Sequence, residues 1–273
     1  MIVKKIVAAA STLLVAATLA GCSSSESTTA TTAAASDTTF TVGFDPEFPP
    51  YGYKEGDEYV GFDLDLAQEV ADRNGWELVK QPIAWDSKDM ELNSGTIDAI
   101  WNGFTMNGRE DAYTWSAPYV DNSIVVVTKQ DSGIAALADL AGKNVLVQAD
   151  SSGLAAIEEP ENADLKASFA NLTEVPDYNT AFMDVEAGAA DAIIVDQGVA
   201  KYQLEQRAND MFTVVTEPLR TEQYGIGFKL GNTELRDTVQ ASLDEMIADG
   251  TFLTIAEKYD LQDAVVTDAA AVK

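Results

Sequence analysis

What constrains this chain most is an alternation that begins at Phe40 and continues almost to its end: short apolar runs with strand character, separated by segments with helical spacing. Phe40 to Phe44 alternates apolar and polar residues like a strand. Asp65 to Arg73 places Leu66, Val70 and Ala71 at helical spacing, with Asp65 three residues ahead of Gln68 as a capping-box start. Leu78 to Ile83 predicts a strand, Met90 to Leu92 part of a helix, and Ile97 to Trp101 a short buried strand. Ile124 to Val127 is another apolar run. A second series follows: a helical Ile134 to Leu140, a turn at Gly142 and a strand from Asn144 to Gln148. Next come a helix from about Ser152, a helix through Ala181 to Ala187 and a strand from Ala192 to Val195. The helix Gly198 to Gln206 precedes strands at Phe212 to Val215 and Tyr224 to Phe228, and helical segments from Glu234 to Tyr259 break near Gly250. This pattern predicts an α/β protein with largely parallel sheets. A length of 273 residues fits one large domain or two modest ones.

In sheets of that kind ligands bind beyond the carboxyl ends of the strands, often against helix N-termini. The residues directly after the predicted strands are therefore the informative ones. Asp45, Phe48, Pro49, Pro50 and Tyr51 follow Phe44, while Trp85 and Asp86 follow Ile83. Asn102, Gly103, Thr105 and Arg109 follow Trp101, Ser151 and Ser152 follow Gln148, and Asp196 follows Val195. Taken singly, a loop aspartate is a turn former and an aromatic beside prolines is packing. Together they suit a zwitterion: Arg109 and backbone amides for a carboxylate, Asp196 for an ammonium, aromatic faces for a side chain.

Absences narrow the chemistry further. The chain has no histidine, which removes Ser-His-Asp and Cys-His machinery and imidazole metal sites. Its formal charge of −28 argues against nucleic acid, whose binding rests on clustered Lys and Arg. No spacing resembles a calcium loop, so neither metal nor cofactor is predicted. Asp63 and Asp65 stand two apart at a helix start, where acids cap the first turn rather than flank a glycosidic bond. Gly225, Gly227 and Gly231 have the wrong spacing for a dinucleotide fingerprint. Glu158, Glu159 and Glu161 around Pro160 are expected to form a solvated face.

The ends of the chain carry an address. Lys4 and Lys5 precede an uncharged run from Ile6 to Ala20, too short for a comfortable membrane span and laid out like a secretory signal. It ends in Leu19-Ala20-Gly21-Cys22, and Cys22 is the one cysteine in the sequence. The tetrapeptide resembles a bacterial lipobox, which implies signal removal after residue 21 and a lipid on Cys22. Removing Lys4 and Lys5 leaves 15 bases against 45 acids. The Ser/Thr/Ala-rich stretch that follows cannot bury enough apolar surface to fold and is expected to act as a linker reaching roughly 20–25 Å. Residues 263–273 are expected to be a frayed tail.

The order of the central motifs adds a resemblance. FTVGFDPEFPPYGYKEGDEYVGFDLDLAQEVA, from Phe40 to Ala71, resembles the opening of the extracytoplasmic solute-binding proteins of family 3, which feed polar amino acids to ABC transporters. GFDLDLA (Gly61 to Ala67) is similar to that family's signature, and IDAIWNGFTMNGRE, YTWSAPY (Tyr113 to Tyr119), ADAIIVD (Ala190 to Asp196) and EQYGIGF (Glu222 to Phe228) follow in register. The resemblance implies a two-lobed periplasmic-binding-protein-like α/β fold, each lobe a mostly parallel sheet flanked by helices, joined by two crossing strands. The implied division is a signal at 1–21, a linker at 22–37, lobe 1 at 38–120, lobe 2 at 121–219, the return crossing and rest of lobe 1 at 220–262, and the tail.

It also implies a site. Arg109 resembles the arginine that grips an α-carboxylate, and Gly103 and Thr105 its neighbours, which offer amide, carbonyl and hydroxyl groups. Ser151 and Ser152 lie where a helix start adds amides, and Asp196 resembles the acid that holds the α-ammonium. Phe48 and Trp85 resemble a pair of aromatics sandwiching the ligand side chain, and Asp45 a contact to its polar end. Two departures stand out: the loop Met106 to Gly108 is one residue short of the commonest pattern, and Gln148 occupies a variable place. The function implied is capture of a polar or cationic amino acid by lobe closure, for delivery to an ABC permease by a lipid-anchored, extracytoplasmic monomer that is not an enzyme. Lys88 and Lys201 are the bases that an anionic ligand would need. The rivals are an enzyme of lyase or dehydratase type on the same fold and a sensory lipoprotein binding the same ligand.

Overall fold

The computed structural model describes residues 38–207 and 210–267. The leader at 1–21, Cys22, the linker to residue 37 and tail residues 268–273 lie outside the described residues. The chain opens with β1 (Thr39–Phe44) and a meander of β2 (Glu47–Phe48), β3 (Gly52–Glu55) and β4 (Glu58–Val60). Next come α1 (Phe62–Asn74), β5 (Glu77–Pro82), α2 (Lys88–Ser94), β6 (Ala99–Ile100) and β7 (Thr114–Trp115). The long β8 (Val120–Lys129) leads to β9 (Asn144–Gln148), α3 (Ser152–Glu158), α4 (Ala163–Ser168), β10 (Asn171–Val175), α5 (Tyr178–Ala187) and β11 (Ala192–Asp196). After α6 (Gln197–Glu205) come β12 (Phe212–Val214), β13 (Arg220–Tyr224), β14 (Gly227–Phe228), α7 (Thr233–Asp249) and α8 (Thr251–Lys258).

Two sheets define two lobes. The first has the order β5-β1-β6-β14-β7 and the second β10-β9-β11-β8-β12, with β13 on β8. β1 is parallel to β5 and β6, and β9 is parallel to β10 and β11. The remaining pairs are antiparallel, because β8, β13 and β14 belong to the stretches that pass between the lobes and enter each sheet against its parallel strands. Over Val120 to Ile124, β8 pairs residue by residue with β13, from Tyr224 back to Arg220, as an antiparallel ribbon. The strand expected over Tyr224 to Phe228 is thus two pieces, since Gly225 and Ile226 carry the chain from one sheet to the other.

Other local expectations fail for identifiable reasons. Ile134 to Leu140 holds only a 3-10 turn at Leu137–Leu140, where Asp139 Oδ2 accepts the Ala135 and Ala136 amides at 2.9 Å each and closes a single turn. Helix α1 begins at Phe62, so Asp63 and Asp65 do not cap it; its N-cap is Gly61 at φ 141°. A Cβ at Gly61 would lie 2.2 Å from the Tyr51 carbonyl oxygen, which explains the glycine. Asp65 instead accepts Lys258 Nζ at 2.6 Å and the Tyr259 hydroxyl at 2.7 Å, tying α1 to α8. Glu159 is no part of a solvated face, because Arg220 donates to it at 2.7 Å. The tail is held as far as Val266: Asp121 donates its amide to Ala264 and Val266 donates to Tyr119, at 2.8 and 2.9 Å.

The first lobe's core turns on Phe62, fully buried, with the rings of Phe252, Tyr119, Tyr259 and Tyr51 between 5.8 and 6.5 Å away. It joins α1 to α8 and to the start of the ribbon. Phe62→Ala is expected to destabilise the protein by about 3–5 kcal/mol, whereas Leu230→Ala, at a side chain left 64% exposed, should stay within about 0.5 kcal/mol of wild type. Denaturant unfolding of both variants checks this.

Candidate ligand-binding site

The strands of both lobes end at one cavity, lined by Phe48, Trp85, Gly103, Thr105, Arg109, Gln148, Ser151, Ser152 and Asp196. Of the residues that the family resemblance assigns to a site, all line it except Asp45, which stands behind Gln148. The walls leave about 10 Å³ between them, about the room of one water. A ligand of amino-acid size can enter only if the lobes part.

The first lobe supplies a cation. Arg109 follows a tight turn in which its amide bonds the Met106 carbonyl at 2.9 Å and Gly108 takes φ 78°, so the short loop is closed without strain on a side-chain-bearing residue. The guanidinium lies 5.2 Å from the Phe104 ring centre and donates only to backbone carbonyls, of Thr105 and Asp150, at 3.3 Å each. Among the described residues it has no carboxylate within ion-pairing distance.

The second lobe supplies an anion in the mirror situation. Asp196, 2% exposed at the end of β11, accepts from Asn122 Nδ2 at 2.9 Å and from the hydroxyls of Tyr224 and Tyr178 at 2.5 and 3.4 Å. All three donors are neutral, and no cation pairs with it among the described residues. Burial, and after it the charge of Glu222, raises its pKa to about 7.

The aromatic walls are braced from behind. Phe48 packs on Tyr51 and Tyr178 at 5.7 and 5.9 Å, and Trp85 sits edge-on to Phe104 at 5.6 Å. Each thus has its outer face fixed while lining the cavity. Ser151 caps α3, accepting the Leu154 amide at 3.1 Å. Gly103 departs from expectation, because its amide donates to the buried Asp63 Oδ2 at 2.6 Å and is not free for a ligand. A Cβ there would meet Phe48 at 2.8 Å and Tyr224 at 3.0 Å, so only glycine lets the two rings close on this turn.

A family model for the bacterial extracellular solute-binding proteins, family 3, matches residues 40–262. The chain belongs to that family. It is 30% identical over 225 residues to the L-cystine-binding protein TcyJ of Escherichia coli K12, covering 81% of this chain and 82% of that protein. To the arginine-binding extracellular protein ArtP of Bacillus subtilis it is 29% identical over 222 residues, covering 80% and 84%. Among solved structures, an ABC uptake transporter substrate-binding protein from Streptococcus pneumoniae with bound histidine matches with a TM-score of 0.79 and 36% identity, over 84% of this chain and 94% of that one. These relatives are binding proteins by name.

Within this family member, Gln148 and Lys88 tie the lobes together, and Asp150 is a partner that the sequence did not single out. Gln148 Nε2 reaches across to Asp45 Oδ2 at 2.6 Å, and burial raises the Asp45 pKa to about 6. Lys88, buried under the Trp85 ring, pairs with Asp150 on the opposite lobe, and burial lowers its pKa. That pairing commits Lys88, and Lys201 is committed to Asp260 in a separate cleft along the ribbon of about 730 Å³. That cleft is the larger of the two, yet the smaller cavity is the one lined by the unpaired guanidinium of the half-buried Arg109 and the buried carboxyl group of Asp196.

Asp45, Asp63 and Asp196 are each buried and raised, to about 6, 7 and 7. The stability they contribute is complete below their ordinary value of 3.8 and is lost as pH rises through the folded values. The ligand-free protein is therefore expected to melt at a lower temperature at pH 8 than at pH 5, as calorimetry at constant ionic strength would show.

Proposed function

We propose that this protein is the extracytoplasmic binding component of an ABC importer, closing its lobes over an amino acid with a polar or cationic side chain and presenting it to a membrane permease. The observation that carries the reading is the pairing of deficits: an unpaired guanidinium on one lobe and a carboxylate buried without a counter-ion on the other, both on one cavity wall. A buried charge without a partner is costly, and the α-carboxylate and α-ammonium of an amino acid supply both missing partners. Arg109 would take the carboxylate, aided by Ser151, Ser152 and the Thr105 hydroxyl, and Asp196 the ammonium. Gly103 contributes its carbonyl. Phe48 and Trp85 flank the side chain, and Asp45 acts on its far end through Gln148, favouring donors over anions. The names of the relatives, with cystine, arginine and histidine among their ligands, support this class.

In this reading the ligand is bound and released unchanged, the protein works as a monomer, and domain boundaries follow the two crossings at 120 and 220. Among the described residues no helix is long and apolar enough to cross a membrane. Attachment is assigned to a lipid on Cys22, with residues 22–37 as tether. Replacing Cys22 by alanine is expected to move the protein from the membrane to the soluble fraction, and retention at the membrane would remove the anchor.

A thermal-shift screen of unfolded and refolded protein against the common amino acids tests the function. A ligand at a thousand times its Kd adds about 4 kcal/mol, a clear rise in melting temperature. One amino acid or a close set is expected to produce it, and Arg109→Ala, folding normally, should weaken that binding by about 2–5 kcal/mol. No shift with any amino acid would sink the reading.

A further inference from the structure

Glu222 stands outside the cavity wall, yet it touches the groups that form it. It lies on β13 directly opposite Asn122 in the ribbon, with its side chain fully buried. Its Oε1 accepts from Thr105 Oγ1 at 2.7 Å, from Asn122 Nδ2 at 2.9 Å and from Ser152 Oγ at 3.2 Å. Those donors come from the first lobe, the ribbon and the second lobe respectively. Its Oε2 accepts from Arg220 Nη2 at 2.9 Å. The same Asn122 nitrogen also donates to Asp196 Oδ1 at 2.9 Å, so one amide joins two buried carboxylates.

We infer that Glu222 is a positioning residue that couples closure of the lobes to the charge state of Asp196. The inference rests on the proposed reading of the cavity as an amino-acid site. Donors from both lobes meet on one oxygen only in this relative orientation, so the junction forms as the cleft closes. Had Glu222 served only to pair with Arg220, Oε2 would suffice and Oε1 would not collect three donors.

The charges around the pair set which acid carries the proton. Facing Glu222 are Arg220 on its own strand, Asp196 from β11, and Glu159 beyond Arg220, with the neutral rings of Tyr224, Tyr178 and Tyr51 packed around Asp196. Two neighbouring carboxylates resist joint ionisation. Asp196 has neutral donors alone, and it takes up a proton as the pH falls through about 7. An arriving ammonium favours the ionised carboxylate, any proton on it leaves to solvent, and Asp196 then becomes the second ion held by the closed junction.

Glu222→Gln and Glu222→Asp separate these effects, in full-length protein alongside wild type. The readouts are calorimetric affinity for the amino acid found in the screen and the ligand-free titration of Asp196 by carboxyl carbon NMR. Glu222→Gln removes the neighbouring charge and is expected to move the Asp196 midpoint to lower pH and weaken binding at pH 8 on the order of 10- to 100-fold. Glu222→Asp keeps the charge but withdraws the oxygen, so affinity should fall while the midpoint stays. An Asp196 midpoint unmoved in Glu222→Gln, or wild-type affinity in Glu222→Asp, overturns the inference, because a purely structural acid would lower only the melting temperature. If Glu222→Gln does not fold, Glu222→Asp decides by its affinity. If wild type binds no amino acid, the functional reading fails, and the ligand-free titration still decides the coupling.

Discussion

A carboxylate taken out of water without a cation is among the least favourable things a fold can contain, and this fold is arranged around one. Asp196 closes the buried strand β11, and its hydrogen-bond donors are all neutral: two tyrosine hydroxyls and an asparagine amide. Those donors come from β8, β13 and α5, so the acid fixes the ribbon against the second lobe while staying unsatisfied in charge. A structural role would place a lysine or arginine there. Arg109 shows the converse, a guanidinium held by an aromatic face and two backbone carbonyls. The two deficits are complementary in sign.

The ribbon links the two lobes. Its strands pair over five rungs, and its first-lobe end is pinned from several sides. Tyr119 packs on Phe62 and Trp101, and the tail residues Ala264 to Val266 add a short edge beside it. With the ends of the ribbon held in both sheets, the residues free to absorb a change of angle are those just outside the ladder. Gly225 is the clearest, although a Cβ on it would meet the Met106 sulfur at 2.7 Å, so its freedom is conditional on the loop that carries Arg109. Gly225 and the loop that carries Arg109 are thus in contact.

Most of the cavity lining was legible in the sequence because the relevant residues sit where strands end, a position fixed by topology rather than by local propensity, whereas the division into lobes came from the family resemblance. Arg109, Asp196, Phe48 and Trp85 could be found in this way. What stayed hidden has a common cause. Asp63 at a helix start looks like an ordinary capping acid, and only the three-dimensional return of the Gly103 turn shows it to be a buried acceptor. Glu222 sits in a polar strand segment, Arg-Thr-Glu-Gln-Tyr, whose alternation gives no hint of which side is covered. Its partners are 70 to 117 residues away in sequence. The helix expected at Ile134 to Leu140 failed for the opposite reason, since one aspartate side chain satisfied two amides locally and ended the turn.

The contacts that bridge the cleft bear on how tightly such a protein can bind. Lys88 with Asp150 and Gln148 with Asp45 hold the lobes together through side chains that do not belong to any ligand. Every interaction of this kind favours closure whether or not the site is filled, and a ligand gains affinity only from contacts that distinguish closed from open. If cross-cleft pairs dominated, the protein would shut on nothing and capture would be slow. The burial of Asp196 without a counter-ion offsets that tendency. In the proposed reading a ligand ammonium supplies that counter-ion, so the unfavourable burial of a single acid opposes closure over an empty site. Bridging pairs and buried acid act in opposite directions, and their balance leaves the decision to the amino acid.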